Sequence, residues 1–269
     1  MIKIDNLSFS YKGSKNNVLR ELNLNIEKNK ICGLLGKNGV GKSTLLYLIS
    51  GLLRPTKGTV TTLGFNASDH CVKMLQDFFI VAEEFELPAT TLSAYIKANS
   101  MFYPHFSEEL MRQCLSDFEM EGEYQLHKLS MGQKKKVYIS FALATGTSLL
   151  VMDEPTNGLD IPSKAQFRKA VSRSMTEDRT IIISTHQVHD IDLLLDHVVI
   201  MSNEGILLNE STEELCNKYV FEYRSPQDMD DVVYAEPSLQ GNAVMAHRGN
   251  REETALNLEL LFNAVTLKK

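Results

Sequence analysis

Residues 36–44 read GKNGVGKST, and no other stretch of this chain restricts its fold as tightly. The spacing fits G-x-x-x-x-G-K-[ST], and it sits between the apolar run ICGLL and a segment from Lys42 to about Gly51 that reads as a helix. A glycine-rich loop in that setting joins a buried strand to a helix N-terminus, where converging backbone N–H groups and the helix dipole make a cradle for phosphate. Gly36, Gly39 and Gly41 give the loop its backbone freedom, while Lys37 and Asn38 complete it. Lys42 is expected to reach the β- and γ-phosphates, Ser43 to offer its hydroxyl to Mg2+, and Thr44 to touch the α-phosphate.

A second run, SLLVMDEPTNGLD at residues 148–160, is an apolar strand that ends in two acids. Ligands of open α/β sheets sit at the carboxyl ends of the strands. Asp153 is therefore expected to join the Mg2+ shell, and Glu154 to polarise the water that attacks a γ-phosphate. Around these stretches IKIDNLSFSY, GTVTTLG and TIIIST read as strands, and TLSAYIKANSMF, SEELMRQCLSDFEM and residues of about 163–176 as helices. Strands alternating with helices imply an α/β fold, with a mainly parallel sheet covered on both faces. From about residue 212 the pattern changes to a helix-like STEELCNKY, the short apolar pieces YVFEY, DVVYAE and AVMAH, and EETALNLELLFNAV with helical spacing. That succession reads as a small α+β appendage.

Composition narrows the partners. With 269 residues, 43% of them hydrophobic, the chain can bury a core of its own. Its formal net charge of −6 argues against a nucleic-acid partner, because that affinity comes from summed Lys and Arg charge. Cys32, Cys71, Cys114 and Cys216 form no CxxC pair and no zinc-like spacing, as expected of a reduced, cytoplasmic compartment. No apolar run is long enough to cross a bilayer, so any membrane connection is expected to pass through a partner.

One stretch stands out against this acidic background. KLSMGQKKKV, at 128–137, carries three consecutive lysines. Ser130 and Gln133, ahead of VYISFALA, fit a reciprocal capping box at a helix start. The lysines then fall in the first turns, where cations oppose the helix dipole; that cost makes sense beside a polyphosphate, although a solvated face is the ordinary reading for at least two of them.

Taken in order, GKNGVGKST, LSMGQ at 129–133, the strand ending in Asp153 and Glu154, NGLD at 157–160 and STHQ with His186 resemble five motifs of the ATP-binding subunits of ABC transporters. These are the Walker A loop, signature, Walker B strand, D-loop and switch histidine. The resemblance covers about residues 1–210. It implies a P-loop NTPase core with an N-terminal antiparallel β subdomain and a helical signature subdomain at about 84–145, all within a cassette of residues 1–211, and leaves 212–269 as the appendage. ATP and Mg2+ are implied as cofactors. Ser130, Gly132 and Gln133 would bind ATP held by a second cassette, identical to this one or not; Asp160 belongs to the D-loop, and His186 would sense the γ-phosphate beside Glu154. Tyr11 alternates with Leu7 and Phe9, so it either continues an apolar strand face or, as the resemblance suggests, stacks on adenine. Two positions depart from the family pattern. Met131 stands where glycine is commonest, and Glu83 where a glutamine is usual; a carboxylate at 83 could still join the Mg2+ shell.

The implied function is an ATPase that powers export of an unidentified substrate through a separate membrane protein: the tail NLELLFNAV and FYPHFSEEL are similar to those of bacterial exporters built that way. Such a chain would lie on the inner face of the cell membrane, held there by an integral-membrane transporter subunit. The alternative is a non-transport ABC ATPase acting in translation or DNA repair. The first normally carries two cassettes on one chain and the second a coiled-coil or zinc insertion, and these 269 residues display neither.

Overall fold

The computed structural model describes residues 1–14 and 16–267. Strands β1 (Ile2–Phe9) and β2 (Leu19–Ile26) form an antiparallel pair, and the chain then crosses into a second sheet through β3 (Ile31–Leu35) and helix α1 (Lys42–Ile49). It returns with β4 (Lys57–Thr62) and the short β5 (Phe65–Asn66), which gives the first sheet the order β2-β1-β4-β5. Helix α2 (Val72–Gln76) leads to β6 (Phe78–Val81) at the edge of the second sheet. Helices α3 (Leu92–Ser100), α4 (Glu108–Asp117) and α5 (Met131–Ala144) precede β7 (Leu149–Asp153), α6 (Ile161–Ser174), β8 (Thr180–Thr185) and the hairpin of β9 (His197–Ser202) and β10 (Gly205–Ser211). The second sheet runs β10-β9-β3-β8-β7-β6 and is parallel except for β10. Helix α7 (Thr212–Lys218) opens the last part, where β11 (Tyr219–Arg224), β12 (Val232–Ser238) and β13 (Gly241–His247) pair in the order β11-β13-β12 ahead of α8 (Leu258–Leu267).

The central sheet is buried on both faces, and the alternation of its side chains sorts them into two cores. Ile31, Leu35, Leu150, Met152, Ile181, Ile183, Val198 and Ile200 face one way, toward α5, α6 and α8. Cys32, Leu34, Leu149, Val151, Ile182, Val199 and Met201 face the other, toward α1 and the inner face of the first sheet. This is why the strands read as unbroken apolar runs. The C-terminal part shares the first of these cores: Phe221, Met245, Leu258, Leu261 and Ala264 are buried in the same cluster as the central strands.

The helices between β6 and β7 are fastened by aromatic packing. Phe141 of α5 is 1% exposed, and its ring lies 5.2 Å from Tyr95, 5.3 Å from Phe106 and 5.9 Å from Phe79 of β6, between centroids. Asp117, at the end of α4, adds a polar staple by pairing in charge with Lys169 at 2.8 Å and Arg173 at 2.7 Å from α6.

Five strands, β2, β5, β6, β9 and β10, go beyond the sequence reading. β2 escapes it because Glu21, at φ +45°, and the irregular β1 pairing on either side of Leu7 interrupt the alternation. β6 is four residues of FFIV, too short for periodicity to tell strand from helix. α8 starts only at Leu258, not at the earlier EETALN expected from the helical spacing.

Phe141→Ala should destabilise the protein by about 3–5 kcal/mol, the usual cost of emptying a fully buried aromatic site. Urea unfolding followed by circular dichroism measures this, and a loss under about 1 kcal/mol would mean that the cluster does not hold the helices to β6.

Candidate nucleotide site

The loop between β3 and α1 is built for close approach. Gly39 and Gly41 adopt φ of +84° and +101°, conformations that side-chain-bearing residues rarely take. Gly36 is needed for a different reason: a Cβ there would meet the carbonyl oxygen of Met201 and a methyl of Val40, both at 2.8 Å. Lys42 is 6% exposed and donates its ammonium to the carbonyls of Gly36 at 2.8 Å and Lys37 at 3.3 Å. Burial pushes this ammonium below the ordinary lysine value, while Glu154, Asp153 and Glu83 pull it back up.

A cavity of about 430 Å³ opens over the loop, lined by Tyr11, Asn38, Gly39, Gly41, Lys42, Ser43 and Thr44 on one side and by Glu83, Glu154 and His186 on the other. Tyr11 is anchored rather than free: its hydroxyl lies 3.0 Å from Thr44 Oγ1 and its ring packs edge-on against Phe9 at 5.0 Å. It is still 45% exposed, so part of the ring stays open toward the cavity.

The acids come from the end of β7. Asp153 lies opposite Ser184 of β8, whose hydroxyl donates to Asp153 Oδ1, while Asp153 Oδ2 is buried without a hydrogen-bond partner. Glu154 is the first residue beyond the strand, 5% exposed, with φ of +45°. A non-glycine residue in that region is strained by about 1–3 kcal/mol, and its surroundings have to hold it there. They do so at every polar atom. The Glu154 N–H donates to the Ser184 carbonyl at 3.0 Å, Thr185 Oγ1 donates to Oε2 at 3.0 Å, and His186 Nδ1 lies 2.8 Å from Oε1. Lys42 Nζ stands 3.8 Å from the same Oε1.

The orphaned Asp153 oxygen and the Ser43 hydroxyl on the cavity wall are hard oxygen donors, the set that suits Mg2+. Among the described residues no cluster of three or more His, Cys, Asp or Glu could hold a metal unaided, as befits an ion that takes much of its shell from substrate phosphates and water.

Glu83 does face this site. Its Oε1 accepts the side-chain amide of Asn157 at 3.0 Å, and Asn157 Oδ1 accepts Gln187 Nε2 at 3.1 Å. The signature residues lie elsewhere. Ser130 caps α5, with its Oγ 3.3 Å from the Gln133 N–H and its own N–H 3.0 Å from Gln133 Oε1, and both side chains are exposed. Met131 is 63% exposed, and a Cβ added at Gly132 would come into van der Waals contact with the Gly158 carbonyl. Asp160 caps α6 through the Ser163 N–H at 2.9 Å, which lowers its carboxyl below the usual range. None of these lines the cavity over the loop.

Sequence reasoning passed over Ser184, Thr185, Asn157 and Gln187. Ser184 and Thr185 stand in STHQ beside His186, but only the pairing of β7 with β8 sets their hydroxyls against the two acids. The lysines also divide unexpectedly. Lys135 is buried and Lys134 and Lys136 are half-buried, so the run is not an open solvated face.

Known proteins share this arrangement. The profile of the ABC transporter family matches residues 19–157. The lantibiotic transport ATP-binding protein SrtF of Streptococcus pyogenes is 31% identical over 235 residues, which span 83% of this chain and 100% of SrtF. Human phospholipid-transporting ATPase ABCA3 is 30% identical over 251 residues, 87% of this chain but only 15% of ABCA3, so the chain corresponds to a small part of that protein. A solved ATP-binding subunit of an ABC transporter superposes with a TM-score of 0.70 at 25% identity, covering 80% of this chain and 91% of the other. The chain belongs to the ABC transporter family, as a nucleotide-binding subunit with ATPase activity.

Lys42→Ala removes the one ammonium that lines the cavity among the described residues and should weaken nucleotide binding about 10–100-fold, the range expected for a lost charge-assisted hydrogen bond. Calorimetric titration with ADP reads this directly, and unchanged affinity would take Lys42 out of the phosphate site.

Proposed function

We propose that this chain hydrolyses ATP to drive transport of a substrate, outward across the membrane, through a membrane protein on another chain. The observation that carries the proposal is the convergence on one cavity of the phosphate loop and a buried carboxylate, Glu154, hydrogen-bonded on both oxygens. The relatives described above are named for transport, one of a lantibiotic and one of a phospholipid, and this leaves a role in translation or DNA repair without support. Among the described residues no helix is long and apolar enough to cross a membrane. The chain would work on the cytoplasmic side, docked on the inner face of the membrane through its transporter subunit.

In this reading the N–H groups of the loop and Lys42 hold the β- and γ-phosphates, Thr44 holds the α-phosphate, and Tyr11 stacks on adenine. Asp153, Ser43 and Glu83 would hold Mg2+, which supplies charge neutralisation at the phosphates. Glu154 accepts a proton from the attacking water, and ADP and inorganic phosphate leave. Thr185 fixes one oxygen of that carboxylate, and His186, beside the other, is placed to respond to the γ-phosphate. Residues 1–211 form the cassette, with its helical subdomain at about 84–145, and 212–269 the appendage. Ser130, Gly132 and Gln133 lie outside the chain's own cavity and are exposed or half-buried, which supports head-to-tail closure of two cassettes, each offering its signature to the other's ATP. Asp160, at the N-terminus of α6, would face that junction as the D-loop acid.

Glu154→Gln should abolish steady-state hydrolysis and still bind ATP, since the base is lost while the phosphate loop is intact. The same variant, sized with and without ATP and Mg2+, should dimerise only with nucleotide if two copies suffice; turnover at near wild-type rate would sink the assignment of the base.

Glu83→Gln should keep turnover but move its Mg2+ dependence to higher concentration, because one negative charge leaves the metal shell. Glu84→Gln is the control and should not shift the curve. Identical Mg2+ titrations for wild type and Glu83→Gln would take Glu83 out of the shell.

A further inference from the structure

The nucleotide site does not account for the middle lysine of the 134–136 run. Lys135 is 6% exposed, and its ammonium donates to two main-chain carbonyls, Glu154 at 3.1 Å and Asn157 at 2.9 Å. Burying an ammonium is costly unless it is well hydrogen-bonded, so a side chain needed only to fill this space would be apolar. The two carbonyls belong to one structural unit: the Asn157 N–H bonds back to the Glu154 carbonyl at 3.2 Å, closing a tight turn over 154–157, and the ammonium clips both ends of it.

One end carries a cavity-lining group, and the other is hydrogen-bonded to one. At one is the Glu154 carboxylate on its left-handed backbone, and at the other the Asn157 amide, which joins Glu83 to Gln187. A backbone held at positive φ relaxes unless its surroundings over-determine it, and a cation on the turn's carbonyls is such a constraint. Burial depresses the Lys135 ammonium, and Glu83, Glu154 and Asp153 oppose that, so the lysine also feels the charge of the site. Its other end is rooted in α5, the helix capped by Ser130, where a Cβ added at Gly132 would lie 3.5 Å from the Gly158 carbonyl just beyond the same turn.

We propose that Lys135 is a positioning residue for the hydrolytic carboxylate: from the signature helix it clamps the 154–157 turn and so sets the aim of Glu154. The element presented to a second cassette's nucleotide is thereby fastened to the base that acts on this chain's own. The inference rests on the reading of Glu154 as the base.

The test compares Lys135→Met, Lys135→Arg, Glu154→Gln and the double variant Lys135→Met/Glu154→Gln in the full chain. Lys135→Met should lower kcat at least about tenfold while ATP affinity stays within about threefold, and Lys135→Arg, which keeps the donors, should recover most of kcat. In single-turnover hydrolysis the double variant should be no slower than Glu154→Gln alone, because a residue acting through the base has nothing left to add. A kcat within about twofold of wild type in Lys135→Met, a parallel loss of affinity and kcat, or a double variant slower than Glu154→Gln would each overturn the proposal. Should Lys135→Met fail to fold, Lys135→Gln carries the same comparison. The underlying reading fails separately: an active Glu154→Gln removes the base whatever Lys135 does, whereas an inactive Glu154→Gln beside a fully active Lys135→Met removes only the clamp.

Discussion

The parallel pairing of β7 with β8 is the constraint on which the site depends. Asp153 lies opposite Ser184 in that ladder, and because side chains alternate, a slip of one residue would turn Asp153 to the other face of the sheet. Everything nearby inherits this register. The Ser184 hydroxyl meets Asp153, the Ser184 carbonyl receives the Glu154 N–H, and the next residue, Thr185, meets the Glu154 carboxylate. The register is itself held by the two apolar faces of the sheet, since Leu150 and Met152 lie in one core while Leu149 and Val151 lie in the other.

What was legible in the sequence divides along physical lines. The phosphate loop and the acids at the end of β7 could be read because their chemistry is contiguous in the chain, and strand-loop-helix order places them at one sheet edge. The opening strand, the capping box at Ser130 and Gln133, and the helices α3 and α4 were equally local. Ser184, Thr185 and Asn157 were not legible as site residues because their partners come from distant parts of the chain and only the folded sheet brings them together. Lys135 shows the same limit in reverse. Its neighbours in the run, Lys134 and Lys136, carry the same charge, yet the direction each side chain takes around α5 sends only Lys135 onto the turn beyond β7.

The C-terminal part is more closely joined to the site than its late place in the chain suggests. α8 buries Leu258, Leu260, Leu261 and Ala264 in the core shared with the central sheet. Glu259, on the same helix, pairs with His189 at 2.7 Å, three residues beyond His186. That ion pair is exposed, and such pairs contribute little to stability by themselves. The apolar face of α8 is what fixes its place, and the pair then sets a polar contact on the segment that follows His186.

The charges around the cavity explain how three acids are tolerated together. Asp153, Glu154 and Glu83 act on both Lys42 and Lys135, and burial depresses each of these two ammonium groups while the acids support it. Three carboxylates against two lysines leave the cluster negative before any nucleotide enters, and a polyphosphate adds more of the same sign. In the proposed function, loop N–H groups and the α1 dipole would offset part of that charge at the phosphates, but Asp153 Oδ2 is buried without a donor. In the same reading, a divalent cation held by that oxygen would balance both. The same balance accounts for an acid at position 83. With a cation bound, an added carboxylate deepens the attraction; without one, it is held by the neutral amide of Asn157, at 3.0 Å, which adds no charge of its own.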